Sequence, residues 1–338
     1  MEIAGVFWAL VAGVMLGLYA LPEKYTKSFK YENTWGLFFI LTMFLVPIIA
    51  SYLLLGGLDV FGMVDSAVIR KMAIASVLWG TGVMLWGKAI NHIGLSLGFS
   101  LFIGTVILVG SVIPFFVNGV PPTNVFATIL AGLVVVLAGV VMNGKAGLAR
   151  EQDEQASGDD SAEDKGSMLK GIMIAVIGGL LATGFSFANA VGAGPLGEAV
   201  ASLGLAPWKT AVAVMFPIFI SGGIVMGLYF AQQLSQKKLW GEFKTAHFGS
   251  NFVLIFVMAV FHYAASALFA FAASKLGDAG NTVGYAIFNA TCVMTAIVSG
   301  LLVGEWKKAS ARARGYLYTG LICMVAGIVI IAVGNGLG

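Results

Sequence analysis

Charged side chains are scarce in this sequence: Asp, Glu, Lys and Arg make up only 10% of its 338 residues, against about 25% in a typical soluble domain. Hydrophobic residues make up 59%. A water-soluble globule of this size needs more polar surface than the chain can supply, so the composition predicts a membrane protein. The net charge of +3 forms no basic face, and we expect no nucleic-acid binding.

Cysteine and the motifs of catalysis are also nearly absent. Cys292 and Cys323 lie inside apolar runs, where a structural disulfide is not expected. The sequence has no phosphate-binding Gly-Lys-Ser/Thr motif, no His/Cys spacing for a metal and no Gly-x-Ser-x-Gly elbow. We therefore expect neither an enzyme nor an ATP-driven pump, and no cofactor.

Apolar runs and glycine are what the sequence has in abundance. A bilayer core of about 30 Å needs about 20 apolar residues per helix, and ten runs meet that length. They are continuous rather than alternating, which indicates helices and not strands. The 45 glycines suit helices that pack closely in lipid. The predicted spans are 3–21, 35–55, 71–91, 95–117, 123–143, 169–190, 208–231, 250–273, 280–303 and 316–336.

An acidic stretch divides the ten spans into two sets of five. Residues 144–168 are rich in Asp, Glu, Ser and Gly, which predicts a flexible linker between an N-terminal repeat, 1–143, and a C-terminal repeat, 169–338. Fifteen of the 19 lysines and arginines lie in loops after odd-numbered spans. The positive-inside rule places these loops and the acidic linker in the cytoplasm, and both termini in the periplasm.

The two sets of spans show internal sequence similarity. Residues 5–13 and 171–179 share Gly, Ala and Gly at the same spacing. A repeat of five spans must invert its orientation, because five is odd. Inverted repeats are typical of secondary transporters with a substrate site near the midplane. The matching segments occur in the same order: 5–13 with 171–179, 89–94 with 272–277, and 137–141 with 325–329.

Several motifs along the chain together resemble one transporter family. The motifs are Gly5–Trp8, Tyr19–Pro22, Thr34-Trp35, Ile93–Gly98, Ile103–Gly110 with Pro114, Asn118-Gly119, Gly184–Asn189 and Glu305–Lys307. The pattern is similar to the L-rhamnose–proton symporter family, within the drug/metabolite transporter superfamily. This resemblance implies ten helices in two inverted five-helix repeats, a location in the bacterial inner membrane, and import of a sugar with protons. It also implies that spans one, three, four, six, eight and nine line the cavity.

His262 is the deepest ionisable residue in any span. An ionisable residue inside the membrane is a functional candidate by default, and histidine exchanges protons near neutral pH. We interpret His262 as a proton carrier or a sugar ligand. The alternative is a neutral histidine that bonds to a carbonyl group of a neighbouring helix.

Other polar and aromatic residues at membrane depth complete the candidate sugar site. A sugar needs hydrogen-bond partners for its hydroxyls and flat apolar surfaces for its C–H face. Each candidate has a structural alternative: Trp residues form interface belts, hydroxyls bond to their own helix, and a buried Asn can hold helices together. With His262, the predicted set is Trp8, Trp79, Ser100, Thr105, Ser186, Asn189, Tyr263, Tyr285 and Asn289.

The sequence therefore predicts a secondary transporter that imports a monosaccharide, L-rhamnose or a similar deoxyhexose, by alternating access. Its partners are the sugar and the bilayer, and its coupling ion is the proton, with sodium as an alternative. A carrier of another sugar, a nucleoside or an amphipathic metabolite is a second hypothesis. A non-transporting membrane sensor is a third. The sequence makes no prediction of oligomeric state.

Overall fold

All regular secondary structure is helical in the part of the chain that a computed structural model describes, residues 2–156, 168–277, 280–302, 304 and 306–335. These residues contain no strand, which confirms the all-α prediction. In lipid a helix is favoured because it satisfies its own backbone hydrogen bonds. The helices are α1 (Glu2–Leu18), α2 (Tyr31–Ile40), α3 (Val46–Ala50), α4 (Asp59–Gly62), α5 (Ser66–Asn118), α6 (Thr123–Ala156), α7 (Met168–Ala182), α8 (Gly184–Ser202), α9 (Thr210–Gln236), α10 (Phe248–Lys275), α11 (Gly280–Leu302) and α12 (Ala311–Asn335).

Nine helical segments of the described residues are long and apolar enough to cross a membrane. They coincide with nine of the ten predicted spans. The predicted fourth span, 95–117, corresponds to a shorter apolar helix, Ser100–Ile113, inside α5. The protein is therefore a multi-pass membrane protein.

The 53 residues of α5 do not form one straight rod. A straight helix of that length would measure about 80 Å, well beyond a bilayer core of about 30 Å. A methyl group at Gly98 would lie 3.6 Å from the Ile90 Cα atom, whereas residues eight apart in a straight helix are separated by about 12 Å. The chain therefore reverses direction between Ile90 and Gly98.

Helix α6 includes the first part of the predicted linker. It continues past the predicted end of span five to Ala156, so residues 144–156 are helical. The rest of that linker up to residue 167 lies outside the described residues. The division into 1–143, 144–168 and 169–338 stays a prediction.

Glycines set the spacing between neighbouring helices. The α6–α12 pair shows this well: a methyl group at Gly132 would lie 2.9 Å from the carbonyl oxygen of Gly327, and one at Gly139 would lie 2.8 Å from that of Gly320. Close backbone approach through small residues is how helices associate in lipid. The larger buried cluster lies away from this pair and includes Phe219.

A widened turn interrupts the second span. Residues Leu41–Leu45 form a π-helical turn, closed by a bond from the Val46 N–H to the Leu41 carbonyl. Pro47 follows immediately and has no N–H to donate, so the regular helical bonding cannot continue through it. Such turns often occur at functional sites, and this one presents Thr42 to α10.

Candidate functional site

His262 of α10 lies inside a ring of aromatic side chains. The centroid of its imidazole is 5.0 Å from that of Tyr19, 5.4 Å from that of Phe38 and 5.5 Å from that of Phe219. Tyr19 directly follows α1, Phe38 belongs to α2 and Phe219 to α9. Four segments of the chain therefore converge on one half-buried histidine.

The Thr42 hydroxyl orients the imidazole. Thr42 is fully buried; its Oγ1 lies 3.0 Å from His262 Nδ1 and donates to the Ala259 carbonyl oxygen at 3.2 Å. A hydroxyl has one proton, so the arrangement that uses every polar atom has Nδ1–H donating to Thr42. Within the described residues Nε2 has no hydrogen-bond partner, and in this tautomer it carries a free lone pair.

Trp79 of α5 also packs against Phe219. Its ring centroid is 5.5 Å from that of Phe219 and 5.3 Å from that of Phe185. Gly222 makes room for the indole, since a methyl group there would lie 2.6 Å from Trp79 Cε3 and 2.9 Å from the Ser76 carbonyl oxygen. Phe219 therefore contacts both His262 and Trp79.

Two buried tyrosines extend the aromatic cluster. The Tyr263 ring lies 5.0 Å from Phe219, and its hydroxyl donates to the Val212 carbonyl at 3.4 Å. The Tyr285 ring of α11 lies 5.5 Å from Phe269 and 6.3 Å from Phe185. Both rings are buried, so they belong to the packed part of the cluster.

Three predicted polar residues lie next to Tyr285. Asn289 donates to the Tyr285 backbone carbonyl at 2.9 Å. Ser186 of α8 donates at 2.8 Å to the carbonyl oxygen of Gly110, the residue against which the Tyr285 ring packs. The Asn189 amide nitrogen donates to Asn281 Oδ1, while its own amide oxygen is buried without a partner among the described residues.

The other three predicted residues make their contacts elsewhere. Trp8 packs against Phe271 with 5.9 Å between ring centroids. The Thr105 hydroxyl donates to the Leu101 carbonyl of its own helix at 2.8 Å. Ser100 lies beside Gly144 of α6, where a methyl group would lie 2.7 Å from its Oγ. The structure does not bring these three side chains to His262.

Sequence reasoning missed Tyr19, Phe38, Thr42, Phe185 and Phe219. Phenylalanine inside an apolar run gives no signal that separates a site from a core. Thr42 did give a signal, since it is a hydroxyl in the middle of span two. Tyr19 belongs to a motif that carries the family resemblance but was not assigned to the site.

A carboxylate lies one layer of side chains away from the imidazole. The Trp35 indole N–H donates to Glu23 Oε1 at 2.7 Å. The Trp35 ring lies 6.2 Å from Tyr19 and 5.2 Å from Phe38, both neighbours of His262. Among the described residues, no three His, Cys, Asp or Glu side chains lie together as metal ligands.

Near Glu23, the loop before α2 is tied to the region around the α9–α10 loop. The fully buried Asn251 side chain accepts from the Lys27 N–H at 3.0 Å and donates to the Lys27 carbonyl at 2.8 Å. The Asn33 amide donates to the Leu239 carbonyl at 2.9 Å, and an ion pair adds a third connection. We call these contacts the loop latch: Lys27–Asn251, Asn33–Leu239 and Glu32–Lys237.

Comparison with known proteins identifies the family of the chain. A family model described as L-rhamnose-proton symport protein (RhaT) matches residues 1–338. The chain belongs to the L-rhamnose–proton symporter family. Proteins named L-rhamnose-proton symporter from Salmonella paratyphi A, Salmonella paratyphi B and Salmonella newport are 25% identical to it over 345 residues. The similarity covers 98% of this chain and 97% of each relative.

Membership of the L-rhamnose–proton symporter family makes the protein a transporter and not an enzyme. The match runs the full length of the chain, so it includes His262, Trp79 and Phe219. The family is one of proton-coupled sugar transporters, which agrees with a site of aromatic rings around one ionisable side chain.

Proposed function

We propose that this protein imports a monosaccharide, L-rhamnose or a similar deoxyhexose, together with protons across the bacterial inner membrane. The observation that carries the proposal is the environment of His262. Its Nε2 is free among the described residues while aromatic rings surround the imidazole. This combination offers one proton-binding atom and several flat apolar surfaces in the same place.

The aromatic cluster suits a sugar with few hydroxyls. Aromatic rings contact the C–H face of a sugar, and nitrogen or oxygen atoms bond to its hydroxyls. Phe219 and Trp79 supply the apolar surface, and His262 Nε2 supplies a polar atom. A deoxyhexose replaces one hydroxyl with hydrogen, so it leaves fewer polar groups unsatisfied against phenylalanine than a fully hydroxylated hexose does.

Proton binding and sugar binding meet at one atom in this proposal. Without a proton, Nε2 of His262 accepts a hydrogen bond; with a proton it donates one. The Nδ1–H bond to Thr42 is the same in both states. The rings of Tyr19, Phe38 and Phe219 lie within 5.5 Å of the imidazole centroid, close enough for cation–π attraction to stabilise the imidazolium. The proton therefore changes which sugar group His262 can hold.

We propose ten spans, with Ser100–Ile113 as the core of the fourth. The reversal of the chain between Ile90 and Gly98 supports two antiparallel spans within α5. Ten spans divide into five and five around the segment 144–168.

Two equivalent glycine contacts support an inverted repeat. A methyl group at Gly13 would lie 2.6 Å from Thr291 Cβ, and one at Gly179 would lie 2.7 Å from Thr105 Cβ. In both places the carbonyl oxygen of a phenylalanine three residues before the threonine lies 2.7 Å away. The sequence similarity of 5–13 with 171–179 is thus matched by similar packing.

The same repeat pairs the two central side chains. The alignment of residues 89–94 with 272–277 makes Trp79 the counterpart of His262. Both rings lie 5.5 Å from Phe219. We place the sugar beside Phe219, where a pseudo-two-fold axis would pass, as in transporters built from inverted repeats.

Alternating access then requires the loop latch to open. The latch joins the basic loop after span one to the basic loop after span seven, and the positive-inside rule places both in the cytoplasm. We propose that the latch closes the cytoplasmic side, that its rupture releases the sugar inward, and that both termini are periplasmic.

Uptake in proteoliposomes tests the function. A panel of radiolabelled monosaccharides led by L-rhamnose is supplied with and without an inward proton gradient. We expect saturable L-rhamnose uptake that the gradient raises. His262→Gln should lose the response to the gradient, and His247→Gln is the matched control because His247 is exposed at the start of α10.

Three results would contradict parts of this proposal. Gradient-driven uptake that survives in His262→Gln removes the histidine from coupling. Uptake driven by sodium and not by protons changes the ion. Failure of every sugar, with uptake of a nucleoside or an amphipathic metabolite instead, replaces the sugar by another neutral solute.

A further inference from the structure

A groove opens on the side of the helix bundle, away from the loop latch. Its volume is about 530 Å³, and it lies between the start of α5, the end of the same helix and the α7–α8 junction. Apolar side chains on its rim are strongly exposed, with Phe116 at 86% and Ile74 at 64%. In a multi-pass membrane protein, exposed side chains of this kind face lipid.

Small residues create the groove. Ala75 and Gly184 form its floor, where α5 and α8 touch, while longer side chains such as Leu78 and Leu180 stand around it. The Thr183 hydroxyl at the floor donates to the Leu180 carbonyl at 2.6 Å, so it offers no free donor. The interior is therefore suited to hydrocarbon.

One charged side chain lines the groove, that of Lys71. It lies in the second turn of α5, near the end of the segment Ser66–Ile90 that can cross the membrane. This is the depth of lipid headgroups. Lys71 is exposed and has no carboxylate partner among the described residues. The ammonium group of Lys71 can therefore bind a negatively charged group at the end of the apolar groove.

We propose that an anionic phospholipid binds here, with one acyl chain in the groove and its phosphate at Lys71. From Lys71 to Leu78 the helix rises about 10 Å, enough for the upper part of a chain. The volume lies in the range of about 300–1,000 Å³ that is usual for small-molecule sites. Charge complementarity selects the anionic headgroup, since a lysine near the membrane surface favours anionic lipid by about fivefold.

The proposed lipid site is adjacent to the candidate sugar site. Gly184 on the floor of the groove is followed by Phe185, whose ring packs on Trp79 at 5.3 Å. Binding of the lipid is independent of the proposed sugar: the groove would take a phospholipid whatever solute the protein carries.

Native mass spectrometry of the detergent-purified protein tests this site. Phosphatidylglycerol and phosphatidylcholine with identical chains are added at equal concentration. We expect phosphatidylglycerol to be retained about fivefold better, and Lys71→Gln to abolish that preference. Lys209→Gln is the matched control, because Lys209 lies against Trp208 and not in the groove. Ile74→Trp fills the groove from its exposed rim and should reduce the retention of both lipids.

Equal retention of the two lipids by the wild type would overturn the proposal. So would an unchanged phosphatidylglycerol preference in Lys71→Gln, or unchanged retention of both lipids in Ile74→Trp. A dimer that lipid does not displace and that Ile74→Trp disrupts would show that a second copy of the chain covers this face instead.

Discussion

Replacement of Thr42 by valine isolates the contribution of the tautomer at His262. Valine has nearly the same shape as threonine but cannot accept the hydrogen bond from His262 Nδ1, which lies 3.0 Å from the Thr42 hydroxyl oxygen. A neutral hydrogen bond contributes a net of about 1 kcal/mol, which corresponds to about a fivefold bias between the two tautomers. In Thr42→Val the imidazole loses this bias, and Nε2 presents its lone pair for less of the time.

Loss of the roughly fivefold bias lowers the fraction of the competent tautomer from about five-sixths to about one-half. We therefore expect Thr42→Val to weaken the apparent affinity for the sugar by a little under about twofold, without abolishing gradient-driven uptake. Sugar titrations of initial uptake in proteoliposomes measure this directly. Thr42→Ser keeps the hydroxyl and should retain wild-type affinity. Thr81→Val is the matched control, because the Thr81 hydroxyl donates only to Val77 of its own helix. Wild-type affinity in Thr42→Val, or equal losses in the valine and serine variants, would refute the role assigned to this hydroxyl.

Three further predictions follow from the packing and the loops. Gly222→Ala should destabilise the protein by about 1–3 kcal/mol in thermal unfolding and reduce uptake, because the new methyl group would lie 2.6 Å from Trp79 Cε3. Gly194→Ala is the control: a methyl group there would have no neighbour within 4 Å, so stability and uptake should stay unchanged. Asn251→Ala should increase cytoplasmic access, measured as faster labelling of a cysteine placed behind the loop latch, and unchanged labelling would argue against a gate there. In intact cells an impermeant maleimide should label Ser202→Cys but not Lys244→Cys, and the reverse would invert the proposed orientation.

The helices could be predicted because a chain in lipid cannot form backbone hydrogen bonds with water. Continuous apolar runs of about 20 residues must satisfy their own backbone bonds, so their existence follows from length and composition. The turn between the third and fourth spans could be predicted as well. The segment between Ile90 and Gly98 contains Asn91, His92 and Gly94, and the predicted spans end at 91 and begin again at 95, within the segment where the chain reverses.

The candidate site could be predicted only where a residue type is rare inside membrane spans. His262 is conspicuous because ionisable side chains are costly at membrane depth. Thr42 and Thr105 show the limit of this reasoning. Both are hydroxyls within apolar runs, yet Thr105 bonds to its own helix and Thr42 reaches His262. The π-helical turn ahead of Pro47 places Thr42 there, and its effect on direction is not visible in the spacing of residues.

The Phe219 ring has a consequence for how such a carrier can diverge. This single phenyl group packs against both the imidazole of His262 and the indole of Trp79. If the sugar binds beside Phe219 as proposed, a change of this side chain that suits a new solute also displaces His262. We expect substitutions of Phe219 to change the substrate range and the ion stoichiometry together. Selection for a new nutrient that preserves the coupling ratio would therefore have to act on residues farther from the axis.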